Sequence, residues 1–283
     1  MSYSADGVSK DKKTHGISEA YVPSNKIEEN IEELERDGYL ILRNVFSKDD
    51  CNAAKEKIEI IYKKQIQEFG GEENLEYIND QNVVRALFAY DDFFIKFLIN
   101  EKVNCILEKC FGKKYILNLQ NSPINKPHDS HYGSTWHRDL SYQHFVSSRP
   151  VAINALVCLD DFTKINGGTY ILPGSHRFEM FPSKNYQEKN ELQIEANIGD
   201  VFIFNSLLFH KAGANDTGID RKLIVHMYTL PFVKQQVSFP KMLKGKHIDN
   251  EQLSYLIGYD SETEESVITW RERRKRRYDK VKK

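Results

Sequence analysis

A change of period near residue 115 constrains the fold of this chain more than any other feature. Before it, apolar residues recur at helical spacing. Ile27, Ile31 and Leu34 run up to Gly38, a stop signal, and Cys51, Ala54, Ile58 and Ile61 share one face of a helix that Ser47 and Asp50 would open as a capping box. "YLILRNVF" (39–46) reads as an early strand, and a further helix is expected over about 91–110, with Gly112 after it. Beyond residue 115 come short runs rich in β-branched and aromatic residues: "YILNLQ", "VAINALVCL", "TYILP", "DVFIF" and "RKLIVHMYTL", separated by Gly, Pro, Asn and Asp. Parallel strands need crossover segments, usually helices, and none intervene here. The pattern therefore predicts a mainly β fold with flanking helices, an antiparallel sandwich or jelly roll.

The chain has 283 residues, 40% of them apolar and 12% aromatic, enough for a sizeable core. A net charge of -1, from 40 basic and 41 acidic residues, provides no field that would gather nucleic acid or an anionic membrane. No uncharged apolar run approaches the roughly 20 residues of a membrane span, and the polar start lacks the apolar segment of a signal peptide. The expectation is a cytoplasmic protein with no membrane partner, and nucleic acid is not favoured. Residues 1–24 read as a mobile arm, 25–262 as a single domain (helical part 25–112, jelly-roll core 113–235) and 263–283 as a solvated basic helix or tail. The final fourteen residues, "WRERRKRRYDKVKK", hold nine Lys or Arg. Cys51, Cys105, Cys110 and Cys158 form no CxxC pair and are expected reduced and buried.

The stretch "STWHRDLSY" (134–142) carries the chemistry. If it is extended, His137 and Asp139 point one way and Arg138 the other. A neutral imidazole and a carboxylate suit a divalent first-row metal, and two histidines with one carboxylate form the triad of non-haem Fe(II) oxygenases. His210, ending an apolar strand 71 residues after Asp139, is the best third ligand. Arg221 opens the last strand eleven residues later; facing inward with Leu223, Val225 and Met227, it would grip a carboxylate bidentately. From the residues alone two readings stand. One is a metal site, the other a jelly-roll binding protein whose metal is structural or absent, because an isolated HxD is more often a surface pair or a satisfied core histidine.

At these residues the sequence resembles the phytanoyl-CoA dioxygenase family of Fe(II)/2-oxoglutarate oxygenases. The similar pieces run in family order: "DGYLILRNVF", "WHRDLSY", "NGGTYILPGSHR", "GDVFIFNSLLFH" and Arg221, across about residues 30–235. The resemblance implies a double-stranded β-helix (jelly roll, cupin-like), with Fe(II) held by His137, Asp139 and His210 and the 5-carboxylate of 2-oxoglutarate held by Arg221. It implies hydroxylation of a C–H of a small molecule by O2, with release of succinate and CO2. The same oxidative start can also lead to desaturation, epimerisation or cyclisation. Halogenating relatives replace the acid with a small residue; Asp139 is present, which favours hydroxylation. Where the family often has a serine two residues past the distal histidine, this chain has Ala212, and Thr169 is a candidate for the missing hydroxyl. Gln120 and Asn125, in "LQNSPINKP", are candidates for reaching the co-substrate or substrate.

Trp136 is expected to pack away from the ion, and His176 and His226 to be structural. His128, His131, His144 and Arg149 lie in polar sequence around the HxD. They read either as exposed loop residues or as cations at the mouth that would suit an anionic substrate. Tyr142 and Asn154 are candidate cavity residues, Asn154 because a polar group inside an apolar strand needs a partner when buried.

Overall fold

The structure, a computed structural model, describes residues 20–129, 132–140 and 145–281. Most of the expected N-terminal arm (1–19) lies outside the described residues. Nine strands are present among them: β1 (Tyr39–Leu42), β2 (Val83–Arg85), β3 (Ile116–Asn125), β4 (Ala152–Cys158), β5 (Tyr170–Ile171), β6 (Leu192–Gln193), β7 (Val201–Asn205), β8 (His210–Lys211) and β9 (Arg221–Thr229). They form a six-stranded sheet in the order β1-β7-β4-β9-β3-β2 and a three-stranded sheet in the order β6-β5-β8. Every pairing in both sheets is antiparallel. This is the jelly roll with flanking helices that the run of strands predicts.

Alternation along the central strands divides the core in two. Ile153, Ala155 and Val157 of β4, with Val201 and Ile203 of β7, face the helical layer and pack in one cluster with Ile31, Ile58, Phe97 and Leu107. Leu156 and Cys158, with Phe202 and Phe204, face the smaller sheet and cluster with Phe162, Ile171 and Leu208. Both faces of β4 are thus covered, which explains why it reads as a continuous apolar run instead of alternating. Asn154 is the one polar side chain in that strand, and it is fully buried.

The helix signals act as expected. Helix α1 (Lys26–Asp37) ends at Gly38, whose φ of 85° is left-handed. A Cβ there would also lie 2.4 Å from His176 Nδ1, so no other residue fits. Helix α2 (Lys48–Glu68) starts at Ser47, whose Oγ accepts from the Asp50 backbone N–H over 3.1 Å and donates to Asp50 Oδ2 over 2.9 Å. Two expectations need correcting. The strand read over 39–46 pairs only to Leu42: Arg43 Nη1 and the Asn44 N–H both turn to the buried Asp200 carboxylate, at 2.7 and 2.9 Å, pulling the chain out of the sheet. The helix expected over 91–110 is broken into Asp92–Phe94, Ile95–Leu98 and Glu101–Phe111. The break falls at Asn100, which is extended and whose side chain caps the last piece by accepting from the Lys102 N–H over 3.0 Å.

All four cysteines are free; Cys51 and Cys158 are buried, and Cys105 and Cys110 only partly so. The basic segment forms the helix Val267–Val281, with Trp270 half exposed. Among the described residues no helix is long and apolar enough to cross a membrane.

Ile203→Ala, which empties a fully buried position between the sheet and the helices, should lower stability by about 2–5 kcal/mol. Ser47→Ala, which removes only a cap, should cost about 1 kcal/mol. Urea midpoints at unchanged slope are the measurement.

Candidate metal centre and co-substrate cavity

The HxD segment is not a regular strand; it touches the β8 region through one antiparallel bridge between His137 and His210. Each backbone donates to the other, His137 N to His210 O at 3.0 Å and His210 N to His137 O at 3.1 Å, and the Asp139 N–H donates to Ser206 O at 3.2 Å. Directly opposed residues of an antiparallel pair project to the same face, so the two imidazoles meet with ring centroids 4.3 Å apart. Their Nδ1 atoms turn back to local carbonyls, His137 to Thr135 O at 2.7 Å and His210 to Leu208 O at 3.0 Å. That leaves both Nε2 atoms beside Asp139, at 3.6 Å from Oδ1 and 3.5 Å from Oδ2. One donor atom from each of the three residues lies within 4.8 Å of the others, close enough to share one ion. The carbonyl contacts fix which ring nitrogen points inward, as around metal-bound histidines.

Electrostatics at the triad agree with this geometry. Burial raises the Asp139 carboxyl, but His210 and His137 outweigh it and hold the group well below the usual carboxylate range. Burial likewise lowers His137, and the Asp139 partner more than offsets it, so its pKa is raised. Asn154 reaches Asp139 from β4: its Nδ2 donates to Asp139 Oδ2, and its Oδ1 accepts from Ser206 Oγ at 3.2 Å. The expectation that Asn154 lines the cavity is therefore corrected. It lies beneath the carboxylate and fixes it. Arg138 points away, as alternation requires. Its buried guanidinium donates to the carbonyls of Phe145 (3.2 Å), Ser175 (3.0 Å), Phe178 and Glu179 (3.4 Å) and stacks 3.9 Å from the Phe209 ring. Trp136 packs against Phe181, with Lys211 Nζ 4.6 Å from its ring.

The triad opens into a cavity of about 520 Å³ between the sheets. Arg221, 3% exposed, enters its wall from β9 together with Leu223 and Val225; Met227, next in the alternation, is buried but does not reach the lining. Arg221 Nε donates to Asn166 O at 3.0 Å, and the guanidinium lies 4.3 Å from the Phe162 ring. Its Nη1 is buried with no hydrogen-bond partner. Burial pushes its pKa down to about 10, so it remains a cation at neutral pH. A buried cation with an unmet donor in a cavity wall fits a carboxylate-bearing ligand. Gly167 makes this wall possible: its φ is +83°, and a Cβ would lie 2.4 Å from Asn125 Nδ2 and 2.5 Å from Gly213 O. Asn125, opposite Arg221 in the β3–β9 register, lines the cavity and donates to Gly213 O at 3.0 Å. Thr169 and Ala212 line it too.

Other sequence candidates fall elsewhere. Gln120 is five residues from Asn125 on one strand, so the two face opposite sides. The structure corrects the expectation for Gln120: it is buried toward the helices, accepting from the Phe88 N–H at 2.7 Å and lying 3.0 Å from His226 Nε2. Burial lowers His226 to about 3, so it is a neutral structural histidine. His176 contacts Glu35 O at 3.3 Å and supports the turn after Gly174. Arg149 and His128 are exposed and are not among the described residues that line the cavity. His131, Tyr142 and His144 lie outside the described residues. The sequence reading missed Arg85, Asn121 and Gln236, which line the cavity from β2, β3 and the segment after β9. The only signal was an arginine inside the apolar run "NVVRALF".

Comparison with known proteins bears on the family and the fold. The family model "Phytanoyl-CoA dioxygenase (PhyH)" matches residues 34–223. The Mycobacterium tuberculosis protein Rv1501 is 28% identical over 213 residues, covering 73% of this chain and 76% of its own. The Bos taurus peroxisomal phytanoyl-CoA dioxygenase is 24% identical over 220 residues, 67% of this chain and 64% of that one. Among solved structures, Streptomyces hygroscopicus HygX with nickel and 2-oxoglutarate bound superposes with a TM-score of 0.55 at 17% identity, covering 75% of this chain and 90% of HygX, a likeness of fold. With well over half its length matched by that model, the chain belongs to the phytanoyl-CoA dioxygenase family of iron- and 2-oxoglutarate-dependent dioxygenases.

Proposed function

We propose that this protein is a dioxygenase that hydroxylates a C–H bond of a small molecule, with Fe(II) held by His137, Asp139 and His210 and 2-oxoglutarate anchored by Arg221. One observation carries the reading: the unmet Nη1 of buried Arg221 and the three converging donor atoms belong to the same cavity wall. When bound, iron with 2-oxoglutarate supplies O2-dependent oxidation of an unactivated C–H, converting 2-oxoglutarate to succinate and CO2. The chain's own groups bind, orient and exclude water. Arg221 takes the distal carboxylate as a charge-assisted pair, and the Phe162 ring beneath keeps the guanidinium plane fixed. Asn154 holds one oxygen of Asp139, which leaves the other for the ion. Leu156, Phe204 and Leu223 make the wall apolar and keep bulk water from the reacting carbon. Thr169 takes the hydroxyl role that Ala212 lacks. The retained carboxylate of Asp139 favours hydroxylation over halogenation, for which that ligand position must be vacant.

The test is an anaerobic titration of the protein with Fe(II) and 2-oxoglutarate, watching for a weak visible charge-transfer band, followed by a substrate screen read as stimulated succinate release. No band, and no loss of iron binding in His137→Ala, would refute the reading. Arg221→Ala should weaken 2-oxoglutarate about tenfold to a hundredfold while iron affinity holds, as expected for a lost hydrogen bond to a charged group. Asn154→Ala should lower iron affinity about 10- to 100-fold with unchanged far-UV circular dichroism, since it removes only the support of a ligand.

A further inference from the structure

The net charge of -1 conceals two opposed parts. The final fourteen residues hold nine Lys or Arg against two acids, Glu272 and Asp279, a net +7 that leaves the remaining 269 residues at -8. Most of this basic segment lies in the helix Val267–Val281. Ser266 opens that helix: its Oγ accepts from the Thr269 N–H at 3.1 Å, and Thr269 Oγ1 accepts from the Ser266 N–H at 3.1 Å. Arg273 then fixes which way the helix faces. Its guanidinium donates to the carbonyls of Glu262 (3.1 Å) and Tyr259 (3.3 Å) and pairs with Glu264 at 3.0 Å and Asp260 at 3.5 Å, so this side lies against the acidic segment 259–266.

At about 3.6 residues per turn, Val267, Trp270, Arg271, Arg274, Lys275 and Tyr278 share one half of the helix, while Arg273 and both acids fall on the other. All six are exposed, Val267 by 63%, Trp270 by 50% and Tyr278 by 57%. Arg274 lies between the two rings, its guanidinium 5.3 Å from Trp270 and 5.8 Å from Tyr278. The face thus interleaves cations with apolar and aromatic side chains and carries no acid. None of its residues lines the cavity.

Charge complementarity calls for an anionic partner, and shape separates the candidates. A nucleic-acid groove encloses a helix on several sides and would press Asp260 and Glu264 toward phosphates. A protein groove takes apolar anchors at i, i+3 or i+4 and i+7, but Arg274 stands seven residues after Val267 and four after Trp270. A flat anionic surface meets one half of the helix only. Exposed Val, Trp and Tyr among cations suit the boundary between lipid headgroups and acyl chains, where Arg and Lys stems lie along apolar surface and their heads reach the anions. We propose that the helix Val267–Val281 is a docking surface for an anionic lipid bilayer, lying in the plane of the headgroups. Arg271, Arg274 and Lys275 meet the lipid anions, and Trp270 and Tyr278 sit at the acyl boundary. The attachment is peripheral, strengthened about fivefold by each cation and weakened by salt. It is independent of the chemistry assigned to the cavity.

The experiment sediments the full chain with unilamellar vesicles of phosphatidylcholine in which phosphatidylserine makes up about a third of the lipid, and with vesicles of phosphatidylcholine alone. Uptake should require the anionic lipid and disappear at about 0.5 M salt. Arg271→Gln, Arg274→Gln and Lys275→Gln together should weaken it about a hundredfold, three cations at roughly fivefold each. Glutamine is a good helix former, so far-UV circular dichroism should be unchanged, as should Fe(II) and 2-oxoglutarate binding. Trp270→Ala should weaken uptake about tenfold. The emission of Trp270, read as the difference between the wild type and Trp270→Phe, should shift to the blue on the anionic vesicles. Duplex DNA and single-stranded RNA are titrated in parallel. The proposal is overturned if anionic vesicles take up no more protein than neutral ones, or if the triple substitution leaves uptake unchanged. It is also overturned if either nucleic acid binds more tightly than the anionic vesicles through the same three cations, which would assign the helix to nucleic acid.

Discussion

The single antiparallel bridge between His137 and His210 is the constraint on which the site depends. Two reciprocal backbone hydrogen bonds, at 3.0 and 3.1 Å, set residues 73 positions apart directly opposite one another, so their imidazoles share a face without any side-chain contact having to arrange it. Everything else refines that pairing. The Thr135 and Leu208 carbonyls turn the rings, and the Ser206 carbonyl fixes the backbone of Asp139. Asn154, the lone polar residue of a fully buried strand, steadies the carboxylate from below. The jelly roll supplies the frame, since only two facing sheets bring a loop after β3 and the short β8 to one end of the same cavity.

The cavity's charges are arranged as an incomplete set. Arg221 is buried with a donor unmet, and Asp139 is held ionised by two histidines, so each side has desolvated a charge that protein groups alone only partly compensate. A divalent cation beside the triad and a dicarboxylate spanning from it to Arg221 would complete both. Such preorganisation uses the folding energy of the sandwich, over Phe202, Phe204 and Ile171, to hold groups where a ligand will need them.

Much of this was legible in the sequence, for a physical reason: alternation is a local property. It identified β3, β4, β7 and β9, put His137 and Asp139 together and put Arg138 on the other side, and aligned Arg221 with Leu223 and Val225. Applied strictly, alternation also separates Gln120 from Asn125, which stand five residues apart on one strand and so face opposite sides. What was not legible depends on pairing between distant segments. Arg85 sits on a strand of three residues, too short for a period to show, and its place in the cavity follows from its register against Asn121. Asn154 announced only that it needed a partner; that the partner is Asp139 depends on how the loop folds over β4. The helix over 91–110 failed on a local signal that was present, an asparagine before Glu101, outweighed by apolar residues on both sides of it.

The anchoring of Arg138 bears on how this molecule can diversify. That side chain stands between His137 and Asp139 and is bolted into four carbonyls, three of them in the turn 175–179. The two donors flanking it are therefore carried as one rigid cassette, braced from behind and away from the cavity in front. Residues such as Val83, Pro123 and Gln236 can be exchanged on the opposite wall without disturbing that cassette, which separates the evolvable part of the catalyst from the part that must stay still.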